Sequence, residues 1–192
     1  MSGMQKIPTI FVRDDNERRF VSTDPHPACE WVFRGEGIPT RKYDGTCVMY
    51  DGTAWWARRE IKTGRSAPAG FVLVATDPVT GKSVGWEPVE QSGFAKFHAE
   101  ALTAGGPDWR PGTYELVGPR INRNPERSTT HRLVEHASAE RLDLRERTFD
   151  AIRAATLKAY AEDGSEGIVF HAADGRMAKI KARDFRPDPT AR

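Results

Sequence analysis

The chain has 192 residues, is 38% hydrophobic, and carries 29 basic against 27 acidic side chains for a net charge of +2. That length suits one domain able to bury about 70% of its unfolded surface without a disulfide staple, and nine Phe, five Trp and four Tyr exclude a disordered chain. A charge this near balance neither requires nor excludes a nucleic-acid partner, because local clustering matters more than the sum.

No stretch approaches the roughly eighteen apolar residues of a membrane span. Met1–Asp15 lacks the apolar core of a signal peptide. Cys29 and Cys47 fit neither a disulfide framework nor a zinc pattern. A cytoplasmic protein with no membrane partner is therefore expected, and nothing in the sequence calls for an obligate protein partner.

In chain order, Ser22–Ala28 and Thr40–Gly45 read as loops. Thr46–Tyr50 and Ala54–Glu60 form a hairpin about Asp51-Gly52, a strong turn signal. A second hairpin is expected from Phe71–Ala75 and Lys82–Trp86. The spacing of Phe94, Phe97, Ala101 and Leu102 predicts a helix over Gly93–Ala104, ended by Gly105-Gly106. Thr113–Val117 reads as a strand. Phe149, Ile152, Thr156 and Tyr160 predict a helix over Arg147–Glu162 that ends near Gly164. Gly167–His171 and Arg176–Ala182 make a third hairpin about Asp174-Gly175, and Arg186–Arg192, with two prolines, reads as a frayed tail. Hairpins with helices set apart from them indicate an α+β fold of antiparallel sheets in one domain over residues 1–185.

Arg41-Lys42-Tyr43-Asp44-Gly45-Thr46 is the sharpest local feature. Glycine lets backbone approach a ligand closely, and a lysine in a basic, partly desolvated pocket becomes a nucleophile near neutral pH. Lys-x-Asp-Gly alone arises by chance in roughly one chain in forty of this length, and on its own it reads first as a charged turn before a hairpin. Further along, Glu166-Gly167 opens an apolar strand, and Lys179 and Lys181, two residues apart on another, share one face. Two neighbouring ammonium groups repel. They mark either a solvated sheet face or a phosphate-binding one. Arg58 and Arg59 point to opposite sides of their strand, so at most one enters a common pocket. Glu115 interrupts an apolar strand and needs a partner, which either ribose hydroxyls or an internal salt bridge would supply. His131 and His136 complete no metal motif. The tryptophans read as packing rather than base platforms. Arg120, Arg123, Arg127 and Arg132 form either a solvated loop or a groove for an RNA backbone.

As an ordered set, Lys42-x-Asp44-Gly45, Arg58, Glu115, Glu166-Gly167 and Lys179-x-Lys181 resemble the covalent nucleotidyltransferase superfamily of ATP-dependent ligases and capping enzymes. Lys-Tyr-Asp-Gly-Thr-Cys, Trp-Ala-Arg, Tyr-Glu-Leu-Val-Gly-Pro-Arg-Ile-Asn-Arg-Asn-Pro and Glu-Gly-Ile-Val-Phe-His are similar, more closely, to the small RNA ligase family that includes the vertebrate 5′–3′ RNA ligase. The likeness spans about Arg34 to Phe185, with one departure at Arg123, where glycine is expected.

The resemblance implies a single nucleotidyltransferase domain (an ATP-grasp-like ligase adenylation fold), with antiparallel sheets around a nucleotide pocket and no OB domain following. It further implies ATP-dependent joining of RNA 5′-phosphate and 3′-hydroxyl ends, the chemistry of RNA repair, with Mg²⁺ or Mn²⁺. On this likeness Lys42 attacks the α-phosphate to form lysyl-AMP, and Asp44 orders the lysine and metal within the loop closed by Gly45. Arg58 meets the nucleotide or the incoming 5′-phosphate, and Glu115 holds the ribose hydroxyls. Glu166 binds the metal or polar groups beside the sugar, Val169 lines the adenine slot, Lys179 and Lys181 neutralise phosphates, and His136 faces the nucleotide. The rival readings are a nick-sealing DNA ligase, another nucleotidyltransferase of the superfamily, or a non-catalytic RNA-binding module on the same fold.

Overall fold

The computed structural model describes residues 6–187. Residues 188–192 of the expected tail and the first five residues of Met1–Asp15 lie outside the described residues. The elements run β1 (Phe11–Arg13), β2 (Val21–Pro25), α1 (Glu30–Phe33), β3 (Ile38–Lys42), β4 (Thr46–Tyr50), β5 (Trp55–Ile61), β6 (Val72–Thr76) and β7 (Ser83–Pro88). They continue with α2 (Ala95–Gly105), β8 (Gly112–Val117), β9 (Arg132–Glu135), α3 (Phe149–Asp163), β10 (Gly167–His171) and β11 (Met177–Lys181). The architecture is mixed α and β, and every sheet is antiparallel. No helix among the described residues is long and apolar enough to cross a membrane.

The chain divides into two compact units, one formed by Asp44–Ser138 with Lys6, the other by the described parts of Ile7–Tyr43 and Ala139–Arg192. The second is built on the sheet β11-β10-β3. Its alternation sends Ile168, Phe170, Ala178 and Ile180 into a core with Ile10, Phe11, Trp31, Val32 and Ile152. α3 supplies Ile152 to that core. Thr148 caps its start by accepting from the Ala151 N–H, and Gly164, at φ +73°, closes its end. Both sheet edges are covered: Pro8–Ile10 bonds along β11, and Glu140–Leu142 along β3.

Two segments expected as loops are strands instead. Ser22–Pro25 belongs to β2, and Thr40–Lys42 completes β3, so Lys42 ends a strand rather than sitting in a loop. β3 pairs with β10, far away in sequence, and no local pattern announces a partner so distant. Its face toward the core carries Pro39 and Arg41 rather than large apolar groups, which removes the usual alternation signal.

The unit Asp44–Ser138 holds a six-stranded sheet ordered β6-β7-β5-β4-β8-β9. The expected hairpins β4–β5 and β6–β7 form, as do α2 and β8. One sheet face buries Val48, Ala57, Tyr114 and Leu116 beneath Phe94, Phe97 and Ala101. The opposite face carries Glu115 paired to Cys47, and Arg58 paired to Trp86; extending the β4–β5 register by one residue sets Cys47 opposite Arg58. Neither Cys29 nor Cys47 is in a disulfide.

Gly167 lies between Lys42 and Lys181 in register, where an added Cβ would meet the Ile180 carbonyl oxygen and the Lys181 Cα. Those are backbone atoms of a paired strand and cannot swing aside. Overpacking of this kind costs about 1–3 kcal/mol, and 1 kcal/mol moves the midpoint by roughly 2–4 °C for a chain of this size. Gly167→Ala is therefore expected to lower the melting temperature by about 2–12 °C in a thermal unfolding scan.

Candidate functional site

In the unit built on β3, β10 and β11, the register sets Lys42 opposite Gly167 and Gly167 opposite Lys181, with Thr40, Val169 and Lys179 in the next row. All six side-chain directions fall on the sheet face away from the α3 core. Lys42, Val169, Lys179 and Lys181, scattered in sequence, thus come together. Glu166, one residue before β10, joins them. Its Oε2 accepts from Lys42 Nζ and its Oε1 from Lys181 Nζ, while its backbone N–H donates to the Lys42 carbonyl at 3.0 Å. His171 continues the face one row beyond, with Nε2 3.1 Å from the Thr40 hydroxyl.

This cluster is largely out of water. Burial opposes ionisation of Glu166, but the ammonium groups of Lys42 and Lys181 outweigh it and hold the carboxyl below the usual value. Among the described residues, Lys179 has no such counter-ion in contact. Desolvation first, then the charges of Lys181 and Lys42, lower its pKa from 10.5 to about 8, against weaker opposing pulls from Glu166 and Asp184. Three ammonium groups share one face and one carboxylate neutralises two of them. Such a face is short of negative charge.

The unit Asp44–Ser138 carries a second constellation. Glu115, buried on β8, accepts from the Gly45 N–H at 3.1 Å through Oε1, and its Oε2 lies 3.0 Å from His136 Nε2. His136 Nδ1 in turn lies 2.9 Å from the Thr113 hydroxyl. The Glu115 carboxylate is thus satisfied internally, with lone pairs left over for hydroxyls. Gly45 fits because a Cβ there would strike the Leu116 carbonyl oxygen and the Glu115 and Val117 side chains. On the same sheet face, Arg58 lies over the Trp86 ring at 5.2 Å, its pKa lowered by burial, with Cys47 between it and Glu115 in register.

Asp44 is held by the segment that follows β8. Its carboxylate accepts from Asn122 Nδ2 at 3.0 Å, the same amide donates to the Gly45 carbonyl at 2.7 Å, and the Asp44 N–H donates to Glu126 Oε1 at 2.8 Å. Asn122, Asn124 and Glu126 escaped the sequence reading. The available signal was the Asn-Arg-Asn run, since asparagine is the non-glycine residue most at ease at positive φ. Arg123, the departure from the expected glycine, sits at φ +64°, where glycine would rest without strain. Arg132 lies on β9, apart from the loop that bears Arg120, Arg123 and Arg127.

Among the described residues, no group of three or more His, Cys, Asp or Glu side chains is arranged to hold a metal ion. Glu166 has both oxygens on ammonium groups. The donor set thus fits phosphates and does not by itself fit a resident divalent ion. No protein-family model matches the sequence, and no curated protein is significantly similar to it.

The two lysines of β11 are expected to behave differently. Lys179→Met removes a desolvated, unneutralised cation and should not lower the melting temperature at pH 7. Lys181→Met strips Glu166 of one of its two partners and should lower it. The folded pKa of Lys179, about 8, lies below its ordinary 10.5. Between those values the unfolded chain holds a proton that the folded chain has lost, so this group's stabilisation grows with pH, is complete above 10.5, and is lost as pH falls through 8. Urea unfolding of wild type and Lys179→Met from pH 7 to 10.5 checks this: wild type should gain stability relative to the variant, and parallel curves would refute it.

Proposed function

We propose that this protein is an ATP-dependent RNA ligase that works through a lysyl-AMP on Lys42. The observation that carries the reading is the Lys42–Glu166–Lys181 bridge beside Lys179 on one sheet face. A solvated face would need neither the burial nor the shared carboxylate, whereas transfer from a triphosphate needs cations in place and a poised amine. The ordered motif set supports the same reading.

The chemistry follows from the charges. The triphosphate draws Lys179 and Lys181 onto its oxygens. Glu166 then loses one of the two cations that keep it ionised and takes the proton of the Lys42 ammonium. The Lys42 amine attacks the α-phosphorus, the phosphorus–nitrogen bond forms, and the bond to the pyrophosphate oxygen breaks. Magnesium enters as the counter-ion of the substrate ATP. Arg58 takes the triphosphate or the incoming 5′-phosphate, and Glu115 offers its remaining lone pairs to ribose hydroxyls. An oxygen of the RNA 5′-phosphate then attacks the lysyl-AMP phosphorus, the phosphorus–nitrogen bond breaks and Lys42 leaves as the amine; a 3′-hydroxyl attacks the RNA 5′-phosphorus, its proton passes to solvent, and AMP leaves. Val169 packs the base and His136 fixes Glu115.

Purified protein incubated with labelled ATP and Mg²⁺ should gain the mass of one AMP through an acid-labile, base-stable bond, and Lys42→Ala should gain none. Full label in that variant would remove Lys42 from the role, and no label on wild type would favour the non-catalytic RNA-binding module. Joining of 5′-phosphorylated RNA is expected to exceed that of an all-DNA strand of equal sequence, because 2′-hydroxyls are read directly. Equal or faster sealing of nicked DNA would favour the DNA ligase reading.

A further inference from the structure

After β8 the chain makes a left-handed turn that L-residues avoid. Asn122, Arg123 and Asn124 have φ of 46°, 64° and 59°, and Arg127 follows at 49°. Single residues visit this region; three consecutive non-glycine residues there are rare. The turn is braced on every side. Ile121 is buried against Ala101 and Leu116, and its carbonyl accepts from the Asn124 N–H at 2.7 Å. Asn124 exchanges two hydrogen bonds with Ser128, at 2.8 and 3.0 Å. At its base, His131 Nε2 accepts from the Arg120 N–H at 3.3 Å and Nδ1 lies 2.7 Å from Glu100, with the imidazole stacked on Phe97.

Glycine would occupy each strained position without strain, so the side chains there need a reason. Asn122 has one in Asp44 and Gly45, and Asn124 has one in Ser128. Arg123 and Arg127 have none among the described residues: both are exposed, and neither side chain makes a hydrogen bond or ion pair there, nor does Arg120. Elsewhere the chain commonly gives its arginines carboxylates, as with Arg13 and Asp184, Arg59 and Glu87, Arg176 and Asp174, and Arg186 and Asp14. Here three guanidinium groups stand bare on a loop too braced to fold them back.

We propose that the 120–127 loop grips the phosphodiester backbone of the RNA strand, Arg123 and Arg127 each taking one phosphate through paired N–H donors. The inference rests on the RNA-joining reading above and adds where the polynucleotide is held. Guanidinium forks match phosphate oxygens two at a time. A loop already fixed loses little freedom on binding, so more of each contact appears as affinity. The loop's bonds from Asn122 and Glu126 also tie strand binding to Asp44, two residues after the nucleophile in the chain.

The test uses the full chain and a fluorescent 5′-phosphorylated single-stranded RNA, with binding followed by anisotropy over a salt series. Arg123→Gln and Arg127→Gln should each weaken binding and flatten the log–log salt slope by about 0.7, the value for one phosphate contact on a single strand. Arg123→Gly separates charge from conformation: it relieves the strained backbone, so its melting temperature should equal or exceed that of wild type while RNA affinity falls as in Arg123→Gln. Affinity kept by Arg123→Gly, or unchanged affinity in both glutamine variants, would overturn the proposal. Labelling of wild type by ATP is read separately. Absence of label there refutes the ligase reading, whereas label with unaltered RNA binding in the variants refutes only the loop's role.

Discussion

Cations crowded onto one sheet face must be neutralised, expelled to solvent or paid for, and the register of β3, β10 and β11 forces that choice. It places Lys42 and Lys181 on either side of Gly167, whose missing side chain leaves room between them, and Lys179 in the next row. Glu166 answers for two of the three. A carboxylate this buried persists in its ionised form only because both oxygens meet ammonium groups. Lys179 is left to bear its own desolvation, which is why its pKa falls to about 8. The face is poised: any polyanion that lands there relieves Lys179 and competes with Glu166 for Lys181.

The same logic holds the Lys-x-Asp-Gly segment residue by residue. Glu166 fixes Lys42 at both its side chain and its backbone. Glu115 fixes the Gly45 N–H, with His136 and Thr113 lined up behind it. Asp44 is held through its carboxylate by Asn122 and through its N–H by Glu126. Three residues of the segment, Lys42, Asp44 and Gly45, therefore take their local geometry from partners distant in sequence.

That dependence on remote partners explains what the sequence alone reveals and what it conceals. The i, i+2 lysines of β11, the Asp51-Gly52 hairpin and the helix ending at Gly164 are local patterns, and each is legible. β3 is not, because its partner lies at the far end of the chain and its own side chains do not alternate between apolar and polar. Glu115 was legible as a buried carboxylate in need of a partner, and both kinds of partner were conceivable. The structure supplies an internal one, the Gly45 N–H together with the His136 imidazole. Glu166 was legible as a strand-opening glutamate, but not its place between two ammonium groups, since that bridge exists only once β3 and β11 flank the same strand.

Arg123 carries the argument one step further. A glycine at φ +64° would make the turn without strain, so its absence first reads as a defect in the loop's shape. The shape is intact. Asn122 and Asn124 on either side take the same left-handed conformation, and their amides bind Asp44, Gly45 and Ser128. Those bonds, together with Ile121 buried in the core, over-determine the backbone and leave Arg123 no other conformation. The strain is thus borne by the neighbours' hydrogen bonds, and the arginine stands on a fixed stretch of backbone with its side chain exposed. A flexible loop would have let that group find a carboxylate of its own.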